Sequence, residues 1–374
     1  MGPRVAPSDS TSSAFQVERD APVAEDKLTP RERWGAVLRG EVPDRVPLFY
    51  QATAEATRKL MDHLAAGSHE ELCERLHVDE VVGLGGRYVG PELPQGEDFY
   101  GFRYRDADYG TGIYSECIFH PLAGYESVEE IEAGYRWPRA DWWDYSHIPE
   151  AIKGKEHLPI MGGGSEPLLT YKELRGMEQA YVDLVEHPEI VRYCLDKLFG
   201  LAYESSRRIY EQAPGKVLLS MVAEDLGSQQ SLLISIEHIR RFLLPWMKRM
   251  MDLAHEAGAY VIHHSDGAVR PVIPLMIQAG MDVLNPVQWR CQGMEREGLK
   301  ADFGDRIAFH GGVDNQYTLA FGSVEEVRQE VLDNIRILGA GGGYFLGPCH
   351  NIQAVGPPEN VVTMYDTAYE NAWY

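Results

Sequence analysis

The residues with the most chemistry to offer follow an apolar run. Tyr260-Val261-Ile262 leads directly into His263-His264-Ser265-Asp266-Gly267. A buried strand that releases titratable groups at its C-terminal end is how parallel α/β proteins build sites. The pattern recurs along the chain. Apolar segments end at Gln51, Glu166, Glu224-Asp225, Asn285 and Gln288, His310 and Asp314, and Cys349-His350. Convergent His, Cys and carboxylate groups suit a divalent ion such as zinc, whose catalytic sites take three protein ligands and leave one position open. A metal-free acid/base site built from the same groups fits the spacing equally well. Each residue also has a plainer role. His310 can hydrogen-bond a turn, Cys349 can serve as a small buried hydrophobe, and Asp314 can cap a helix. Neighbours on a strand face opposite sides, so only one of His263 and His264, and one of Glu224 and Asp225, need line a site.

Eight apolar segments are positioned to carry these groups: Arg45–Gln51, a strand within His77–Gly86, Leu158–Gly162, Lys216–Val222, Ala259–Ile262, Asp282–Pro286, Arg306–Phe309 and Tyr344–Gly347. Helical patterns separate most of them. Thr29-Pro30 reads as a helix start. Ala54 to about Ala66, Ile236–Glu256, Val269–Ala279 and Val324–Leu338 carry apolar residues at helical spacing, and three of these close at glycine. The alternation predicts an α/β protein with a (β/α)8 TIM barrel, and a doubly wound sheet is the alternative. Residues from about 87 to 157 break the rhythm with dense aromatics. We expect an insertion after the second strand that holds a hairpin near Gly101–Tyr104 and Ile113–Phe119 and folds over one end of the barrel. Residues 1–28 read as a disordered polar tail, leaving 29–374 as the barrel.

Composition narrows the partners. The net charge of −22 makes nucleic acid and anionic membrane poor ligands. No apolar run is long enough to span a bilayer. Five cysteines without paired spacing fit a reducing cytoplasm rather than a disulfide framework. Glycines cluster at Gly162–Gly164, Gly311-Gly312 and Gly341–Gly343, and the last run could cradle an anion or simply turn the chain.

Several of these segments together resemble the uroporphyrinogen decarboxylase superfamily. They are His263-His264-Ser265-Asp266-Gly267, Ala279-Gly280-Met281-Asp282-Val283-Leu284-Asn285-Pro286-Val287-Gln288, Phe303-Gly304-Asp305, Gly311-Gly312-Val313-Asp314, the glycines before Cys349-His350, and Pro358-Glu359-Asn360. The resemblance runs from about Thr29 to the C-terminus and implies a (β/α)8 barrel with one of two chemistries. The decarboxylase branch grips substrate carboxylates with two arginines after the first strand and carries an aspartate after the second. This chain reads Gln51-Ala52-Thr53-Ala54-Glu55-Ala56-Thr57 at the first place and Gly85-Gly86 at the second, although His350 falls where that branch has a histidine. The cobalamin-linked methyltransferase branch shows His-x-Cys after the fifth strand and Cys after the eighth. His263 matches the histidine, Ser265 replaces the first cysteine, and Cys349 or His350 stands at the last.

The resemblance therefore implies a methyltransferase that moves a methyl group from a small donor, such as an O-methyl compound, to a corrinoid protein or thiol. It would use zinc or another divalent transition metal on His263 with Cys349 or His350, helped by Glu224 or Asp266. Glu224, Asp225, His264, Asp266 and His350 are the acid/base candidates, and Gln51, Glu166, Asn285, Gln288 and Asp314 the substrate-binding ones. A homodimer is the assembly expected. A cofactor-free decarboxylase or lyase on a small carboxylic acid is the second reading, and a non-catalytic binding protein the third.

Overall fold

The computed structural model describes residues 25–374. Its strands, in chain order, are β1 (Val82–Leu84), β2 (Arg87–Tyr88), β3 (Arg103–Asp108), β4 (Ile113–Phe119), β5 (Trp143–Asp144), β6 (Ile160–Ser165), β7 (Leu219–Ala223), β8 (Tyr260–His264), β9 (Val283–Asn285), β10 (Ala308–Val313) and β11 (Tyr344–Pro348). Seven of them form one sheet in the order β1-β6-β7-β8-β9-β10-β11. Every pairing in it is parallel. The sheet curls, giving a TIM-barrel-like α/β fold rather than a doubly wound one.

The segment expected as the first strand is less regular. Leu48 and Ala52 make isolated parallel bridges to Leu346 and Ile352. Pro47 has no N–H to give a ladder. The Leu48 N–H donates to the Asp79 carboxylate at 2.8 Å rather than to a neighbouring carbonyl. The Phe49 N–H donates to the Leu346 carbonyl at 2.8 Å, and the Asp79 N–H to the Leu48 carbonyl at 2.8 Å. Residues 47–49 thus touch both edges of the sheet, β11 directly and β1 through the turn before it.

Side-chain alternation along the strands sorts the interior into two layers. Leu219, Ile262, Val283, Ala308 and Phe345 fill the inside of the curl, plugged from below by Trp34 of the helix Pro30–Leu38. Val222, Val261, Leu284, Phe309 and Leu346 face outward into the much larger core against the helices. In β6, Gly163 and Gly164 absorb a register shift. A Cβ on Gly164 would lie 2.1 Å from the Met221 carbonyl oxygen, so the close approach of β7 requires glycine there. The other glycine run, Gly341–Gly343, is a turn with positive φ throughout that leads into β11, and Lys300 donates to the Gly342 carbonyl.

The helix signals translate locally. The Thr29 side chain caps the Glu32 N–H, Glu32 returns the bond to the Thr29 N–H, and Pro30 opens the helix. The helix expected over Ile236–Glu256 widens into a π-helical stretch at Ile239–Leu243. Pro245 explains it, because its ring cannot follow a regular turn.

Residues 1–24 of the expected tail lie outside the described residues. Its last residues are not detached. Lys27 and Leu28 donate to Asp44, and Asp26 pairs with Arg33 and Arg45 at 2.7 Å each, so packing begins before Thr29. Between β1 and β6, β2 pairs with β5 and β3 with β4, both antiparallel. Phe99 stacks on Tyr88, Trp142 and Trp143 meet Tyr88 edge to face, and Tyr100 packs tilted against Phe99. Tyr109, beyond the end of β3, donates to Gln353 in the loop after β11 at 3.0 Å.

One ion pair outside the site gives a pH test. His255 Nε2 donates to Asp282 Oδ2 at 2.8 Å, the oxygen that also accepts the Val261 N–H. The hydrogen bond to Asp282 raises the His255 pKa above 6.5. The contribution is therefore complete below that value and lost as pH rises through the raised folded pKa. The two side chains are 39% and 30% exposed, which limits the effect to about 0.5 kcal/mol. Urea unfolding of wild type and His255→Gln should converge in stability between about pH 6 and 8. A difference unchanged over that range would rule the pair out as its source.

Candidate functional site

His264, Asp225 and Asp266 come together at the C-terminal ends of β7 and β8, each offering one ligand atom within 4.8 Å of the others. The strand register determines which residues reach this point. Ile262 lies inside the curl. His264, two residues on, shares that side, and His263 faces out. On β7 the pairing of Ala223 with His264 puts Glu224 outward and Asp225 at the mouth.

Each of the three groups is held from behind. His264 Nδ1 donates to Asn285 Oδ1 at 2.6 Å. Asn285 Nδ2 in turn donates to His310 Nδ1 at 2.6 Å. This chain fixes the tautomer of His264 and leaves the Nε2 lone pair free, 3.6 Å from Asp225 Oδ1. Gln288 Nε2 donates to Asp266 Oδ1 at 2.9 Å, while Gln288 Oε1 accepts the Gly267 N–H at 2.7 Å. The Asp266 N–H donates to Asp225 Oδ1 at 3.2 Å. Burial, reinforced by the Asp225 charge, pushes the Asp266 carboxyl up, against the pull of His264 and His350. Glu166, at the N-terminus of the helix Pro167–Arg175, is raised by burial and by the Asp225 charge and also feels His264. His350 is exposed, with Nε2 3.9 Å from Asp266 Oδ2.

Other expected site residues are placed elsewhere. His263 is sealed in the outer layer. Its Nδ1 donates to the Val222 carbonyl at 2.7 Å, its Nε2 has no partner among the described residues, and burial pushes it down to about 4. It does not join the donor group expected around it, because strand alternation turns it away. Cys349 is buried with its thiol on the Val287 carbonyl at 3.1 Å, and burial raises its pKa far above the usual thiol range. The expected set of His263, Cys349 and His350 is therefore not assembled. Glu224 is fully buried and accepts the Leu168 N–H with both oxygens at 3.0 Å, so it anchors a helix instead of facing the mouth. Asp314 accepts the N–H groups of Gln316, Tyr317 and Thr318 and pairs with Arg290 at 2.7 Å, the capping arrangement. Gln51 lines a groove with Tyr50, Thr57, Arg58 and His69, none of them in the donor group. Asn285 and Gln288, expected to bind substrate, instead hold His264 and Asp266 in place. His310 lies inside the curl against Trp34, Phe49 and Phe345, and burial pushes it down to about 3, which keeps it neutral as the acceptor of Asn285.

A nitrogen and two carboxylates form a hard donor set, suited to a divalent transition ion and unlike a thiolate-rich zinc site. Such a set can hold an ion with open positions for a substrate atom, and Glu166 and His350 lie beside it.

Known proteins resemble this one in sequence and in fold. Residues 148–371 match the model of the family described as uroporphyrinogen decarboxylase. Uroporphyrinogen decarboxylase of Nitrosococcus oceani is 24% identical over 255 residues, 61% of this chain and 64% of that protein. That of Alkalilimnicola ehrlichii is 25% identical over 226 residues, 57% of each. The chain thus spans less than two thirds of either relative. A methyltransferase from Methanosarcina mazei superposes with a TM-score of 0.66 over 91% of this chain and 98% of that one, at 20% identity, a likeness of fold. Among the described residues, no helix is long and apolar enough to cross a membrane.

Proposed function

Because this chain belongs to the uroporphyrinogen decarboxylase family, we propose that it is an enzyme of the methyltransferase kind within that family, acting on a small methylated donor with a divalent metal held by Asp225, His264 and Asp266. The observation that carries the reading is the three-ligand group itself, braced by Asn285 and Gln288 at the barrel mouth. We read residues 47–49 as the eighth stave of that barrel and the aromatic segment between β1 and β6 as its cover. The fold shared with a methyltransferase supports the choice of branch.

The chain's own residues also speak against porphyrinogen decarboxylation. Gln51 to Thr57 supplies no arginine. A Cβ on Gly86, at the place of the decarboxylase aspartate, would come within 2.7 Å of Trp143 Cβ, so no side chain fits there without moving Trp143. Several substrate carboxylates would then meet a protein of charge −22 without the arginine forks that bind them.

When bound, the ion supplies Lewis acidity to the donor heteroatom or to a thiol acceptor. His264 presents Nε2 because Asn285 holds the other nitrogen. Asp266 is oriented by Gln288, and Asp225 by the backbone of Asp266. Glu166, whose carboxyl is pushed up by burial and the Asp225 charge, can deliver a proton to the heteroatom as the methyl bond breaks. His350, open to solvent beside Asp266, can exchange that proton with water. The methyl acceptor is a thiol or the corrinoid of a partner protein.

The brace is testable separately from the ligands. Asn285→Ala should weaken cobalt(II) binding by about 10- to 100-fold, the usual cost of losing a residue that orients a ligand. Titration followed by visible absorption reads it. Undiminished cobalt affinity would remove Asn285 from the site.

A further inference from the structure

Four cations are buried among the described residues: Arg33, Arg45, Lys172 and Arg175. Three have carboxylate partners. Arg33 and Arg45 meet Asp79, and Arg175 meets Asp183 at 2.7 Å while also donating to the Leu122 and Tyr125 carbonyls. Lys172 is different. It is 6% exposed, yet among the described residues no acceptor lies within hydrogen-bonding reach of its ammonium and no carboxylate within ion-pair reach. The stem is buried, but Nζ itself keeps contact with accessible space, so an arriving anion can meet the ammonium there.

The position of Lys172 indicates where that partner binds. It follows Leu168 by about one turn on the buried face of the helix Pro167–Arg175. Helical side chains lean toward the N-terminus. This N-terminus sits at the mouth, where Glu166 begins the helix and the Leu168 N–H is fastened to Glu224. Glu166 and Glu224 both feel the lysine's charge, but neither reaches it, and Glu224 already spends both oxygens on Leu168.

We infer that Lys172 recognises a carboxylate on the substrate, so that the methyl donor is a small organic acid whose carboxylate pairs with the ammonium while its methylated heteroatom meets the Asp225–His264–Asp266 group. This rests on the metal reading above for the orientation of the donor, though not for the ion pair.

The test compares acids with their uncharged amides. Metal-replete protein is titrated calorimetrically with 4-methoxybenzoate and 4-methoxybenzamide, and with methoxyacetate and methoxyacetamide. Wild type should prefer at least one acid to its amide by about tenfold or more, the worth of a charge-assisted hydrogen bond. Lys172→Met should lose that preference with amide affinity unchanged, and Lys172→Arg should restore part of it. No acid preference in wild type, or a preference that survives in Lys172→Met, overturns the inference. Metal content measured on the same samples separates the two claims. Metal present without acid preference defeats this inference alone. A lysine-dependent acid preference in protein that binds no metal leaves it standing and defeats the metal reading.

Discussion

Asp79→Ala is expected to lower the unfolding free energy by about 3–5 kcal/mol, the cost of removing one partner from a buried ion pair. Asp79 is 1% exposed. One oxygen takes Arg33, and the other takes Arg45 at 2.8 Å and the Leu48 N–H at 2.8 Å. The substitution leaves two nearly inaccessible guanidiniums, Arg33 with Asp26 and Asp44 and Arg45 with Asp26, and it frees the backbone of residues 47–49. Out of a total of about 5–15 kcal/mol, that is a large fraction. The contrast is Lys248–Asp252, an exposed pair four residues apart on a helix, where alanine should cost no more than about 0.5 kcal/mol. Urea midpoints at unchanged slope check both. A shift below about 1 kcal/mol for Asp79→Ala would mean that the cluster does not hold the first stave.

His264→Ala is expected to cut methyl transfer by about 10²–10³-fold, the size seen when one fixed electrostatic stabiliser of a transition state is lost. The substitution removes the only nitrogen from the donor group and cuts the chain from Asn285 to the mouth. His263→Ala, one residue away, should leave transfer intact and instead destabilise the protein by about 2–3 kcal/mol through the cavity left between sheet and helices. The rate is followed with a thiol or free corrinoid as acceptor. Equal losses of rate in both variants would contradict the assignment of the two histidines to opposite faces.

The fold was legible where local chemistry sets it. Thr29-Pro30, the apolar strands and the glycine stops after helices need only their neighbours. The hairpin expected near Gly101–Tyr104 and Ile113–Phe119 forms as β3 and β4. The stretch between the third and fourth strands was not legible. It holds the 25-residue helix Pro188–Gln212, whose apolar face, including Ile190, Cys194, Leu198 and Ile209, is interrupted by the polar Ser206. The first stave was read as a regular strand because its apolar pattern is clear, while the side chain that replaces its ladder, Asp79, lies about thirty residues away.

At the site, the structure turns His263 to the outer layer and brings His264 to the mouth. Motif matching set His263 against the methyltransferase histidine, whereas strand alternation counted from Ile262 selects His264. That count was available in the sequence. The place of Glu224 was not, since it is fixed by the Leu168 N–H of a helix that only the tertiary structure brings near, whereas Asp314 caps the residues that follow it directly, the plainer role the sequence allowed. Lys172 gave no signal at all, because a lysine on a helix reads as a solvated face until its burial is seen.

The central claim is that Asp225, His264 and Asp266 hold a divalent metal. Elemental analysis of purified wild type, His264→Ala and His263→Ala tests it most directly. The account predicts near-stoichiometric zinc or another transition metal in wild type and in His263→Ala, and its loss in His264→Ala. Metal absent from wild type, or lost with His263 and kept without His264, would contradict it.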